Sequence, residues 1–174
     1  MGCDIHSLCE VKVEGKWTVV RDMFPTSEWE RELYTRRGKP NPNKKTAPLD
    51  DRHYGTFAWL AGVRNYSGIE PILEPRGLPR DMSDELKGEH EGWGSDGHSG
   101  SWLSLGDLLG FDYDAVMENR RVTKGLDGGH TAEPGDGEKM TWREFLNPEL
   151  FRAIETMKTL GKPGDVRIVF WFDN

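Results

Sequence analysis

The stretch Val166-Arg167-Ile168-Val169-Phe170-Trp171-Phe172 decides the fold. β-Branched and aromatic residues dominate it, and strand side chains alternate between two faces. Val166, Ile168, Phe170 and Phe172 therefore share one face, while Arg167, Val169, Trp171 and Asp173 share the other. A second strand pattern opens the chain from Cys3 to Val13. A Glu14-Gly15 turn and the returning run Lys16-Trp17-Thr18-Val19-Val20 complete a hairpin. Both chain ends thus supply strands. The expected fold is α+β: a small, mainly antiparallel sheet formed by both chain ends, with short helices packed on one side and long loops.

Helices are expected between these ends. Tyr54 to Val63 places Phe57, Leu60 and Ala61 toward a core and has Gly62 near its end. Ser83, followed by Asp84 and Glu85, reads as a cap and first turn. Ser104 with Asp107, and Thr141 with Glu144, have capping-box spacing. Asn147-Pro148 opens the longest helix, with Leu150, Phe151, Ile154 and Met157 at helical spacing and Gly161 at its end. Loop insertions are expected near residues 24–50 and 124–139, and residues 88–101 read as a Gly-, Ser- and His-rich loop. The first insertion carries Arg31, Arg36, Arg37, Lys39, Lys44 and Lys45, a pattern that suits a solvated segment or a flap over an anion. At 174 residues, a single domain spanning 1–174 is expected.

Thirty acidic against 23 basic residues give a net charge of −7, which argues against general nucleic-acid binding. Cys3 and Cys9 on one strand would lie roughly 20 Å apart, too far for a disulfide, which favours a reducing cytoplasm. No apolar run approaches the ~18 residues of a membrane span, and no signal-peptide pattern is present. A homodimer fits the prevalence of two-fold assemblies.

Four polar groups carry candidate chemistry. Asp4, His6 and Glu10 share one parity on the first strand. Asp51-Arg52-His53-Tyr54 precedes the first predicted helix. Asp96-Gly97-His98-Ser99-Gly100-Ser101 is followed by Trp102, and Asp173-Asn174 ends the last strand. In a catalytic reading, His6 and His98 transfer protons and Asp4 orients His6. Arg52, Arg64 and Arg76 bind phosphate, and Tyr54, Ser99, Ser101 and Trp102 contact the ligand. A divalent metal, if used, would take Asp4, His6, His98 and Asp173 as ligands. The plain alternatives are an ion-paired Asp4–His6 sheet pair, a solvated His98 and tryptophans that anchor loops. Phosphate-loop, dinucleotide-fold and zinc-protease motifs are absent.

The opening Met1-Gly2-Cys3-Asp4-Ile5-His6 carries a resemblance, as do Asp51-Arg52-His53-Tyr54, Phe57–Arg64, Arg76-Gly77-Leu78-Pro79, Gly94–Trp102 and Phe170–Asn174. Together these blocks resemble a family of small proteins encoded by tailed bacteriophages and prophages. Members of that family carry a His-Ser-His-Ser-Trp loop; this chain has Gly100 at the second histidine, which weakens any metal site built on that pair. The resemblance implies a phage setting and the host cytoplasm, and leaves the chemistry open. The leading expectation is a small hydrolase acting on a nucleotide-like phosphoester, with a host defence signal as one candidate. The alternative is a non-catalytic protein that sequesters a nucleotide signal or binds and inhibits a host protein. A structural phage component is the third.

Overall fold

In the computed structural model, residues 2–122 and 130–174 are described. In chain order the elements are β1 (Asp4–Val13), β2 (Lys16–Val19), β3 (Phe24–Pro25), α1 (Glu28–Arg36), β4 (Lys44–Lys45), α2 (Tyr54–Ala61), α3 (Asp84–Glu91) and β5 (His98–Ser104). They continue with α4 (Leu105–Leu109), β6 (Val116–Asn119), β7 (Arg121–Val122), β8 (His130–Thr131), β9 (Glu138–Thr141), α5 (Trp142–Phe145), α6 (Pro148–Met157) and β10 (Val166–Asp173). The main sheet has the order β2-β1-β10-β5, antiparallel throughout. The fold is α+β, and both chain ends form the sheet centre.

Register follows from pleat alternation. Ile5, Ser7, Cys9 and Val11 stand opposite Phe172, Phe170, Ile168 and Val166. Ile5, Cys9, Ile168, Phe170 and Phe172 belong to the larger core, with Phe57, Trp59 and Leu60 of α2, Leu105 and Leu108 of α4, and Leu150, Ile154 and Met157 of α6. Helix α2 is apolar around most of its circumference because it is buried from Gly55 to Leu60, and it ends at Gly62 in the left-handed conformation, φ 70°. Asn147 caps α6 and Pro148 occupies its first turn.

The other sheet face pairs Asp4 with Asp173, His6 with Trp171, Leu8 with Val169 and Glu10 with Arg167. This face is also buried. Leu8, Val19, Val169 and Trp171 pack with Leu86 of α3. The expectation of helices on one side therefore needs correcting for α3: Val169 and Trp171 leave an apolar second face, and α3 covers it. At its far end Arg167 and Glu10, 2 % and 0 % exposed, form an ion pair at 2.7–2.8 Å. Arg167 also donates to Asp81 at 2.8 Å and lies 3.8 Å from the Trp17 ring centroid. Glu10 Oε1 accepts the backbone N–H of Ser83, the N-cap of α3, so the buried pair positions that helix.

Two segments read as loop are ordered differently. Residues 24–50 contain the nine-residue α1, closed by a Ser27/Glu30 capping box, and the short β3–β4 pair. Lys45, 5 % exposed, anchors this segment because its ammonium bonds Glu30, Asp50 and Glu149. Residues 98–101, placed in the 88–101 loop, instead begin edge strand β5, while 84–91 form α3. Of the second expected insertion, 124–139, residues 124–129 lie outside the described residues; β8 and the start of β9 occupy part of the remainder.

Candidate functional site

The open ends of β1 and β10 bring Asp4, His6 and Asp173 together. Strand pairing sets Asp173 opposite Asp4, and its Oδ1 accepts the Asp4 backbone N–H at 3.0 Å. Its Oδ2 lies 3.2 Å from His6 Nε2, an ion-pair contact without hydrogen-bond alignment. Asp173, rather than Asp4, is therefore the carboxylate against the imidazole. Asp4 is held by Arg52 in a bidentate pair, Nε to Oδ1 at 2.8 Å and Nη2 to Oδ2 at 2.7 Å. That hydrogen-bonded guanidinium lowers the Asp4 pKa below the usual carboxylate range. The expected role of Asp4 as the orienting group is corrected accordingly.

The His6 ring packs 3.8 Å from the Trp93 ring centroid and 5.9 Å from that of Trp171. It lines a cavity of about 250 Å³ with Ser7, Arg21, Thr46, Asp50, Glu89 and Trp93 among its walls. Ser7 is not a free nucleophile: its hydroxyl donates to Leu49 O at 2.6 Å and accepts from Leu49 N at 2.8 Å, pinning the 46–50 segment to β1. Arg21 pairs with Glu85, and with Glu89 at 3.6 Å, at the exposed rim. Asp50 connects the cavity to the Lys45 nest. Asp173 Oδ2 thus stands beside Nε2 as an electrostatic neighbour rather than a hydrogen-bond acceptor. The cavity wall therefore presents one imidazole with a carboxylate beside it, next to an indole and surface carboxylates.

The other predicted residues disperse. His98 pairs with Phe172, whose side chain enters the larger core, and the two rings lie 6.2 Å apart. His98 and His6 are thus on opposite sheet faces, so they do not form one acid–base pair. A metal set of Asp4, His6, His98 and Asp173 is divided for the same reason. Among the described residues, the acidic or imidazole groups whose ligand atoms converge within 4.8 Å are Glu30, Asp50 and Glu149, and Lys45 already bonds all three.

Arg76 is committed to Asp107 and stacks 4.6 Å from the Trp102 ring. Arg64 Nη2 donates to Asn174 Oδ1 at 3.2 Å, beside the end of β10. Ser101 Oγ accepts Arg76 N–H, Ser99 bonds His98 Nδ1, and Tyr54 packs against Phe57 and Tyr66. A side chain at Gly100, the second-histidine position, would meet Leu78 at 2.9 Å.

Sequence reasoning missed Arg21, Asp50 and Glu89. They come from three segments distant in sequence, and only α3 and the pinned 46–50 segment bring them over His6. Trp93 carried a weak signal, as an aromatic beside a glycine-rich loop. Neither protein-family models, curated proteins nor solved structures yield a match to this chain.

Proposed function

We propose that this chain is a small hydrolase of nucleotide-like phosphoesters, a host defence signal being one candidate substrate, acting in the cavity above His6. The observation that carries the reading is the His6–Asp173 contact on the wall of that cavity. An imidazole supported by a carboxylate on one nitrogen is a competent base at the other. His6 Nδ1 would take the proton of an attacking water as its oxygen bonds phosphorus. The same proton would pass to the departing ester oxygen as the old P–O bond breaks. Arg21 would meet phosphate charge at the rim, where exposed ion pairs exchange at little cost. Trp93 supplies an aromatic surface for a base.

The setting proposed is the host cytoplasm, and the assembly a homodimer. No helix among the described residues is long and apolar enough to cross a membrane. A mass-spectrometric screen against cyclic and linear nucleotides, with and without divalent metal, tests the activity. Conversion is expected in the wild type and in His98→Ala, and its loss in His6→Ala with the fold intact. Unchanged turnover in His6→Ala would sink the reading.

The second reading is a binder without chemistry. It is favoured by the separation of the two histidines, which leaves a single imidazole facing this cavity. Recovery of an unaltered nucleotide after heating a saturated complex would select it.

A further inference from the structure

A second cavity, sharing no residue with the first, lies between the start of α2 and the β6–β9 hairpin. It measures about 220 Å³ and is lined by His53, Gly55, Ser67, Asn119, Arg121, Met140, Glu144 and Phe145. Arg121 is its distinguishing feature. Among the described residues its guanidinium makes no ion pair, and its Nε is buried without a hydrogen-bond partner. The Tyr54 and Tyr66 rings hold it, their centroids 5.8 and 5.5 Å away. Its neighbour Arg120, by contrast, is satisfied by Gly68 O at 2.9 Å and Ala132 O at 3.4 Å.

The remaining walls supply donors. Ser67 is 3 % exposed and contributes a hydroxyl to the lining. His53 Nδ1 accepts the Thr56 backbone N–H at 3.0 Å, which leaves the proton on Nε2 as a donor. Burial, then the charge of Arg121, lowers the His53 pKa, so the ring is neutral at pH 7. Asn119 Oδ1 accepts Arg121 N–H at 3.1 Å, which leaves its amide nitrogen as a donor. Glu144 is the acidic lining residue, and its Oε2 is occupied by Thr141 N and Oγ1 at 2.8 and 2.9 Å. A guanidinium, an imidazole N–H, a hydroxyl and an amide, with one carboxylate held by the Thr141 cap, thus line a space worth roughly seven liquid waters at ~30 Å³ each. That inventory suits an acceptor with more than two oxygens, and a charge to balance Arg121.

We propose that this cavity binds a phosphate group, free or as a small phosphomonoester, with Arg121 as its charge partner. The site is independent of the His6 reading. Calorimetric titration of the full chain in chloride buffer tests it, with inorganic phosphate and methyl phosphate as separate probes. Saturable binding is expected, weakened at least tenfold by Arg121→Gln and several-fold by Ser67→Ala. Arg36→Gln, on the exposed face of α1, should bind as the wild type does. Tighter binding of the inorganic ion identifies free phosphate as the ligand; tighter binding of methyl phosphate identifies a phosphomonoester. Absence of saturable binding for both probes, or unchanged affinity in Arg121→Gln, overturns the proposal. Should Arg121→Gln fail to fold by circular dichroism, Ser67→Ala decides, and unchanged affinity there overturns it equally.

Discussion

Arg167 and Glu10 are the most completely buried charges in the sheet, and their pairing is what makes that burial tolerable. Removing one partner strands the other in a low-dielectric environment, so Glu10→Ala is expected to cost ~3–5 kcal/mol in urea unfolding. A change under ~1 kcal/mol would mean that water reaches the pair. The Lys45 nest behaves differently, because three carboxylates share one ammonium. Burial raises the Glu149 pKa to about 7 against the pull of Lys45. A carboxyl that holds its proton longer in the folded state contributes most below its unfolded value, near 4.5, and loses that contribution as pH rises toward 7. Comparing Glu149→Gln with wild type across pH 4.5 to 7 should therefore show the variant gaining relative stability with rising pH; parallel curves would exclude the shift. These two clusters also mark what was readable in the residues. Strand alternation was enough to place Asp4, His6 and Glu10 on one face. It could not show that Arg52 captures Asp4, that Asp173 takes His6, or that Glu10 is structural, because each depends on a partner distant in sequence. Lys45 was harder still, since it sits in a basic run that local charge alone assigns to solvent.

Helix α3 shows how one element can turn a half-exposed sheet into a fully covered one. Leu86 is its buried residue, 0 % exposed, and it packs on the Val169–Trp171 face. Leu86→Ala is expected to cost ~2–5 kcal/mol. Because Trp171 lies beneath, it should also red-shift tryptophan emission; an unshifted spectrum with wild-type stability would mean that the helix is dispensable. The caps were legible in the sequence wherever the signal was local. Ser104 with Asp107 and Thr141 with Glu144 form the expected boxes. Ser104→Ala is accordingly expected to lower stability by ~1 kcal/mol in the same assay, and no change would show α4 to be held by packing alone. Helix α1 was not legible, although Ser27 and Glu30 have the same spacing. Its sequence, Glu-Trp-Glu-Arg-Glu-Leu-Tyr-Thr-Arg, has no continuous apolar stripe, and Trp29 is 70 % exposed. Its buried anchor is Glu30, held by Lys45, so the usual hydrophobic periodicity carries no signal there. The start of β5 was hidden by its glycine and serines, and by a register irregularity opposite Phe170–Phe172.

On the scale of the whole molecule, the sheet is closed by strands from opposite ends of the chain. β10 is hydrogen-bonded to β1 on one edge and β5 on the other, and it is buried from Val166 to Phe172. Its core face meets α2, α4 and α6, while its second face meets α3, so a single strand joins both hydrophobic clusters. Pairing Asp4 with Asp173 closes a loop of nearly the whole chain before those contacts form, a topology that folds slowly. Two consequences separate β10 from the peripheral elements. First, amides of β1 and β10 should be the slowest to exchange with deuterium, and those of α1 and the β3–β4 pair faster, because the latter have fewer buried apolar anchors. Second, a chain ending at Asp165 should lose more than the nine removed residues' own burial. Without β10, β1 and β5 have no common neighbour, Glu10 is left charged without Arg167, and His6 lacks both Asp173 and Trp171. The shortened chain is therefore expected to show neither a cooperative urea transition nor near-ultraviolet circular dichroism. If it instead unfolds cooperatively, α2, α4 and α6 would constitute a self-sufficient core, and the sheet would be an addition to the fold rather than its centre.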